Sequence, residues 1–224
     1  MGTRQAKDAL FDAFAAVAKA LGNGRRAELV DVLTQGERSV EELAGEIGQS
    51  VANTSQHLRT LARAGLVSTR RDGPRVIYAL ASEQVARLWS AVRDVAGDHV
   101  AGLGRLAEAY LGDRSQLEAI SREELARRLE EGAVLVLDVR PAAEYRAGHL
   151  PGARSLPLSE LHRQLQFLPR DVDVVAYCRG PYCAYADEAV RELRRHGFAA
   201  RRLEDGFPEW RHADLPIEVG RVET

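Results

Sequence analysis

The chain has 224 residues, a formal charge of −2 and two cysteines. This length allows one large domain or two small ones, each with its own core. Two cysteines do not make a disulfide scaffold. The sequence has no signal-peptide pattern, and no apolar run approaches the ~18 residues of a membrane span. We therefore expect a cytoplasmic protein that does not contact a membrane.

The first part of the sequence predicts four helices. Apolar residues recur at helical spacing over residues 8–21 and 25–33. Ser39 is placed to N-cap a third helix that Gly48 ends, and Ser50 to cap a fourth. Two helices joined by a short glycine-containing turn have the layout of a helix-turn-helix.

Polar side chains on the fourth helix are followed by a basic hairpin. Residues 66–71 and 75–80 have the pattern of two strands around a turn, and residues 53–80 hold five arginines and one aspartate. Taken singly, each polar residue is best read as part of an ordinary solvated face. The combination favours a winged helix, in which a helix enters the major groove and the wing contacts phosphate. The candidate DNA-binding residues are Asn53, Thr54, Ser55, Gln56, His57, Arg59, Arg70, Arg71 and Arg75.

Three segments resemble the ArsR family of winged-helix repressors. They are Ser39-Val-Glu-Glu-Leu-Ala, the run from Ser55 to Val67, and Arg75-Val-Ile-Tyr-Ala-Leu. The resemblance covers roughly residues 10–110. It implies a homodimer on a palindromic double-stranded DNA operator, paired through the first helix and the last. Ser82 opens a suitable long helix that reaches Tyr110, and its apolar face suggests a partner subunit.

Many members of that family sense metals through a cysteine pair on the helix before the recognition helix. Residues 41–46 occupy that place here and contain no cysteine. Asp94, Asp98 and His99 lie on the predicted dimer helix, but no second histidine follows at a suitable spacing. We therefore expect no metal and no cofactor, and a signal that enters elsewhere.

The second half of the sequence alternates strands with helices. A boundary near Gly112 divides the chain into residues 1–112, a DNA-binding and dimerisation domain, and residues 113–224. Residues 134–139 and 174–177 read as buried strands. Such alternation predicts an α/β domain with a parallel sheet covered by helices. The fold class is therefore multidomain, with a mostly α winged helix-turn-helix before the α/β domain.

Both cysteines lie in one loop after the second of these strands. Loop amides and the N-terminus of the following helix form an anion site, which lowers a cysteine pKa from its usual ~8.5. A buried cysteine is more often a small apolar core residue, and this reading suits Cys183 better than Cys178. We expect Cys178 to be the nucleophile and the more acidic thiol. The loop residues are Arg179, Gly180, Pro181, Tyr182 and Cys183.

Residues 116–219 resemble the rhodanese family of sulfurtransferases. The resemblance rests on Asp138-Val-Arg, Gly148-His-Leu-Pro-Gly-Ala, the cysteine loop and Asp205-Gly-Phe-Pro-Glu-Trp. It implies that Cys178 takes sulfur from a small donor such as thiosulfate and passes it to an acceptor thiol or cyanide. It also implies that Asp138, Arg140 and His149 mainly brace the loops.

Loop length separates sulfurtransferases from phosphatase-like relatives. Those relatives carry Cys-x5-Arg, whereas Ala184 stands six residues after Cys178. The six-residue loop from Cys178 to Cys183 fits the sulfurtransferases. Many of them have a basic or hydroxyl residue where Cys183 stands, so thiol chemistry between the two cysteines becomes possible.

Two main hypotheses follow from these patterns. The first is a DNA-binding regulator, a repressor, that senses reactive sulfur through persulfidation of Cys178. The second is a thiosulfate-type sulfurtransferase with an attached DNA-binding module and no sensing role. Metal-responsive repression is disfavoured, because the usual ligands are absent.

Overall fold

The computed structural model describes residues 2–220. The chain divides into two compact units, Met1–Asp94 and Val95–Thr224, and each is described by itself. This division falls inside a helix. The sequence-based domain boundary between residues 112 and 113 stays a prediction.

The first unit combines helices with a three-stranded antiparallel sheet in the order β1-β3-β2. Its helices are α1 (Arg4–Leu21), α2 (Gly24–Leu33), α3 (Val40–Glu46), α4 (Val51–Arg63) and the beginning of α5 (Glu83–His99). Its strands are β1 (Arg38–Ser39), β2 (Val67–Asp72) and β3 (Arg75–Leu80).

Local capping explains where the helix-turn-helix begins and turns. Ser39 and Glu42 form the expected capping box at the start of α3. Gly48 takes the left-handed conformation between α3 and α4, with φ of 60°. The Ser50 side chain accepts a hydrogen bond from the Asn53 amide. The predicted winged helix-turn-helix is confirmed.

The long helix expected from Ser82 to Tyr110 is interrupted. Helix α5 ends at His99, and α6 (Leu103–Leu111) begins after Gly102, which has φ of 85°. That left-handed conformation cannot continue an α-helix, so the prediction of one continuous helix was wrong at this point.

The second unit contains a five-stranded sheet in the order β4-β8-β7-β5-β6, with every neighbouring pair parallel. Its strands are β4 (Ala119–Ile120), β5 (Val134–Asp138), β6 (Arg154–Ser155), β7 (Asp173–Tyr177) and β8 (Ala200–Leu203). Its helices after α6 are α7 (Arg122–Glu130), α8 (Ala142–Ala147), α9 (Leu158–Gln164), α10 (Ala184–Arg195) and α11 (Phe207–His212), with a 3₁₀ turn at Leu165–Phe167.

Helices cover both faces of this sheet, as predicted. Alternate residues of β7 point to opposite faces. Val174 and Ala176 pack with residues of α9 and α10, while Val175 and Tyr177 pack with residues of α7 and α11. Cys178 follows directly at the carboxyl end of this central strand, where ligands bind in open α/β sheets.

Candidate functional site

Most of the predicted DNA-binding residues lie on the surface of the first unit. On α4, Asn53, Gln56 and Arg59 are exposed, while Ser55 and His57 are half-buried. On the wing, Arg70, Arg71 and Arg75 are all exposed. The exposed faces of α4 and the wing thus offer both polar side chains for base edges and cations for phosphates.

Thr54 is not on that surface. Its side chain is fully buried, and its hydroxyl donates a hydrogen bond to the Ser50 carbonyl at 3.0 Å. Including Thr54 among the DNA-contacting residues was therefore wrong, because its side chain points into the core and is not on the exposed face of α4.

An ion pair that the sequence pattern did not reveal joins the wing to the residue before β1. The Arg70 guanidinium binds the Glu37 carboxylate, with its Nε 3.1 Å from Oε2. The hydrogen bond from Arg70 lowers the pKa of Glu37, so this carboxylate is ionised at neutral pH. Arg70, a predicted phosphate contact, thus pairs with Glu37 and also with Asp72, whose Oδ2 lies 3.5 Å from its Nη1.

The cysteine loop joins β7 to α10. Cys178 lies at the strand end with 1% of its surface exposed, whereas Cys183 is the half-buried N-cap residue of α10. The Cys183 amide donates to the Gly180 carbonyl at 3.1 Å, which closes a turn. Gly180 has φ of 150°, a conformation that favours glycine.

The first half of the loop is held on three sides. The Phe207 amide donates to the Cys178 carbonyl at 3.1 Å. A Cβ on Gly206 would lie 2.2 Å from the Gly180 nitrogen, so only glycine fits there. The Arg179 guanidinium forms an ion pair with Glu144, whose side chain is fully buried.

The two thiols differ in acidity, in the direction opposite to the prediction. Burial raises the pKa of the Cys178 thiol well above its usual value, although amides of Ala186 and Gly180 oppose this. The neighbouring Cys178 thiol lowers the pKa of Cys183 to about 7, with burial acting against it. Amides of Arg179 and Tyr185 also lower the pKa of Cys183. Cys183 therefore ionises first.

A buried network supports the base of the loop. Arg140 and Asp138 are both fully buried and form an ion pair, and the Tyr177 hydroxyl donates to the same carboxylate. Arg140 also donates to the Gly148 carbonyl at 2.7 Å and lies over the Phe207 ring. These contacts give Arg140 the bracing position implied by the resemblance.

His149 also lies within the packed structure rather than at the thiols. Its ring is 4% exposed and stacks on the Tyr145 ring, with centroids 3.7 Å apart. Its Nδ1 lies 2.9 Å from the Tyr145 carbonyl.

Comparison with known proteins identifies both parts of the chain. Residues 23–69 match the arsR family of bacterial regulatory proteins, and residues 121–213 match the rhodanese-like domain. The HTH-type transcriptional regulator Rv0324 of Mycobacterium tuberculosis is 48% identical over 219 residues, which cover 98% of this chain and 96% of that protein. The chain is an ArsR-family DNA-binding transcriptional regulator with a rhodanese domain.

Further relatives cover one half of this regulator each. A sulfurtransferase of Allochromatium vinosum is 34% identical over 100 residues, which cover 44% of this chain and 92% of that protein. A solved homodimeric winged helix-turn-helix domain from Mycobacterium bovis is 45% identical and has a TM-score of 0.42. The match covers 45% of this chain and 93% of that one.

The structure of the regulator adds a buried ion pair beside the cysteine loop. Arg114 donates through Nε to Asp187 and through Nη1 to the Pro181 carbonyl, at 2.5 and 2.8 Å. Asp187 is fully buried, and Arg202 Nε lies 3.7 Å from its second oxygen. Burial lowers the pKa of Arg202, and the Arg114 charge acts in the same direction. No motif marks Arg114, which lies 73 positions before Asp187.

One group of potential metal ligands occurs among residues 2–220. Donor atoms of His162, Glu192 and His196 lie within 4.8 Å of one another. The second Glu192 oxygen is paired with Arg195, and Arg170 donates to the His196 carbonyl. These guanidinium groups disfavour a further cation, so we assign no metal to this group. Within the same residues, no helix is both long and apolar enough to cross a membrane.

Proposed function

We propose that this regulator is a repressor that senses sulfane sulfur through persulfidation of Cys178. The observation that carries the proposal is the pair of free cysteines in one loop at the carboxyl end of the parallel sheet, with the pKa of Cys183 lowered to about 7. A thiol pair with one lowered pKa is suited to sulfur exchange near neutral pH. The winged helix in the same chain supports a regulatory use of that exchange.

The first step is a displacement on a sulfane-sulfur donor, such as a polysulfide. The Cys178 sulfur attacks the donor's sulfane sulfur, the donor's S–S bond breaks, and its electron pair leaves with the departing thiolate. The Cys178 proton passes to the Cys183 thiolate of the same loop, whose pKa of about 7 makes it available as a base near neutral pH. Cys183 thus serves as the base, and Cys178 carries the persulfide.

A second step can join the two cysteines. The Cys178 persulfide first attacks the sulfane sulfur of another donor molecule, whose S–S bond breaks and whose thiolate leaves, so that Cys178 carries two added sulfurs. The Cys183 thiolate then attacks the inner added sulfur, and the outer one leaves as hydrosulfide. The product is a bridge with one inserted sulfur, and no further oxidant is needed. Both cysteines belong to one six-residue loop, in which the Cys178 sulfur lies 3.6 Å from the Cys183 carbonyl oxygen.

We further propose that the regulator acts as a homodimer on a palindromic operator. Leu10, Phe11 and Phe14 of α1 are 52%, 59% and 60% exposed, which is unusual for large apolar residues grouped on one helix. Leu88 and Val92 of α5 are also exposed. A second copy would cover these faces, and the similar Mycobacterium bovis domain is homodimeric. Sedimentation should show that Phe11→Glu is monomeric, whereas Glu41→Lys on α3 remains dimeric.

The sensing proposal is tested by operator binding with and without a polysulfide. Wild type, Cys178→Ser and Cys183→Ser are compared at one salt concentration, since affinity for DNA depends on salt. We expect polysulfide to change wild-type affinity and to leave Cys178→Ser unchanged. An equal response of wild type and Cys178→Ser would contradict sensing through this cysteine.

The Allochromatium vinosum relative, named a sulfurtransferase, favours a second candidate function. In this alternative the rhodanese domain transfers sulfur from thiosulfate to a thiol or cyanide and has no sensing role. Thiocyanate formation from thiosulfate and cyanide measures that activity. Rapid Cys178-dependent turnover with unchanged operator affinity would favour the enzyme, and the converse would favour the sensor.

A further inference from the structure

We propose that Arg114 is a positioning residue that transmits the state of the cysteine loop to the segment 112–116, which follows α6. The inference rests on the proposed function. It names the residue through which a structural change in the cysteine loop would be passed to other parts of the chain. It starts from the two contacts of one guanidinium group. Arg114 donates to the Pro181 carbonyl inside the loop and to Asp187 in the first turn of α10.

The loop has one fixed half and one half held mainly by Arg114. Residues 178–180 are fixed by the Phe207 amide, by the close approach of Gly206 and by the Arg179–Glu144 ion pair. Residues 181–183 lack those three supports. Their backbone is held by the turn from Cys183 to Gly180 and by the bond from Arg114 to Pro181.

An added sulfur on Cys178 must displace part of this loop. The side chain is 1% exposed, and its sulfur lies 3.6 Å from the Cys183 carbonyl oxygen and 3.9 Å from that of Gly180. A second sulfur bonds at ~2.05 Å from the first and needs its own van der Waals space. Because residues 178–180 are fixed, residues 181–183 must move and carry the Pro181 carbonyl with them.

Arg114 cannot follow that movement freely. Its other contact is with Asp187, which is fully buried and has Arg202 as its other cationic neighbour, at 3.7 Å. Leaving a buried carboxylate without its hydrogen-bonded partner is costly. Displacement of Pro181 therefore breaks or redirects the Arg114 bond and alters the backbone from which Arg114 extends.

The same backbone is attached to α10 at two further points. Arg191 donates to the Asp113 carbonyl at 3.0 Å, and Arg194 donates to the Gln116 carbonyl at 2.6 Å. Neither of these two bonds reaches the cysteine loop. Arg114 is thus the residue of this segment that bonds both to α10 and to the loop.

The test compares the full-length wild type with Arg114→Gln and Arg191→Gln. Arg191→Gln is the matched control, since it removes the same charge and one bond to the same segment but no bond to the loop. Each protein is treated with polysulfide, sulfur uptake is counted by mass spectrometry, and operator affinity is measured with and without sulfur. The readout is the ratio of the larger to the smaller of these two operator affinities.

For wild type we expect a ratio of about 5–150, the usual range for coupled sites. Arg114→Gln should take up the same amount of sulfur while its ratio falls to about 2 or less, and Arg191→Gln should keep the wild-type ratio. An unchanged ratio in Arg114→Gln overturns the inference. Loss of sulfur uptake also overturns it, because Arg114 would then act on the thiols rather than transmit their state.

Two further outcomes separate this inference from the proposed function. A wild-type ratio of 1 overturns both, whereas a wild-type response that Arg114→Gln retains overturns only the role of Arg114. If Arg114→Gln does not fold, Arg114→Lys replaces it. Lysine keeps the charge beside Asp187 but lacks the forked geometry that reaches two acceptors, so its ratio should also fall.

Discussion

The Cys178 sulfur lies 3.6 Å from the Cys183 carbonyl oxygen, and the two thiols of this one loop differ in the direction of their pKa shifts. Burial disfavours a thiolate at Cys178. The neighbouring Cys178 thiol and the amides of Arg179 and Tyr185 favour a thiolate at Cys183. The half-buried helix N-cap residue, rather than the residue at the strand end, holds the first negative charge.

Alkylation near neutral pH should therefore modify Cys183 before Cys178. Cys183 has a pKa of about 7, so its labelling rate should be half-maximal near pH 7 and should fall about tenfold per unit well below it. Cys178→Ala removes the neighbouring thiol that lowers the pKa of Cys183, and should move the profile toward the ordinary value of ~8.5. Peptide mapping after timed iodoacetamide treatment measures this. Earlier labelling of Cys178 would contradict the assignment.

Glu37→Gln should strengthen DNA binding, because it removes the closer of the two carboxylates that pair with Arg70, the other being Asp72 at 3.5 Å. Arg70 can then neutralise a phosphate, and the slope of log affinity against log salt should steepen by up to about 1.

Arg71→Ala should make the slope shallower by about 1 and weaken binding to all sequences alike. Glu123→Gln serves as the control for Glu37→Gln, because it makes the same charge change at an exposed position of the rhodanese domain. An unchanged slope in both wing variants would exclude the wing from the interface.

Thr54→Val should reduce stability without changing base preference. The substitution removes a buried hydroxyl that donates to the Ser50 carbonyl, at a cost of about 0.5–1.5 kcal/mol. Gln56→Ala, at an exposed position of the same helix, should change base preference and leave stability nearly unaltered. Urea denaturation and binding to operator variants separate the two effects. A change of base preference in Thr54→Val would place that side chain on the DNA.

Arg179→Met should destabilise the second unit strongly. It removes the Arg179 guanidinium from the fully buried Glu144 carboxylate, and removing one member of a buried ion pair costs about 3–5 kcal/mol. Arg127→Met is the matched control, because Arg127 pairs with Glu124 and Glu131 on the surface and should have little effect. Denaturation midpoints of the two variants provide the comparison. Equal midpoints would show that the Glu144 pair contributes no more than a surface pair.

Local signals were sufficient to predict the secondary structure of most of the chain. The capping box of Ser39 and Glu42, the cap at Ser50 and the buried strand before Cys178 are all present. Each depends on residues within a few positions of one another, so the sequence contains the whole interaction. The break at Gly102 was missed because apolar periodicity continues on both sides of it.

The properties of the site depend on residues that are distant in sequence. Glu144 lies 35 positions from Arg179, Arg114 lies 73 positions from Asp187, and Gly206 approaches Gly180 from another loop. The sequence by itself determined a winged helix, a parallel sheet and a two-cysteine loop, because helix caps and strand alternation are local. Only the tertiary structure decided which thiol ionises first, that Thr54 is buried, and that Arg70 is paired. Desolvation and ion pairing arise from side chains that folding brings together.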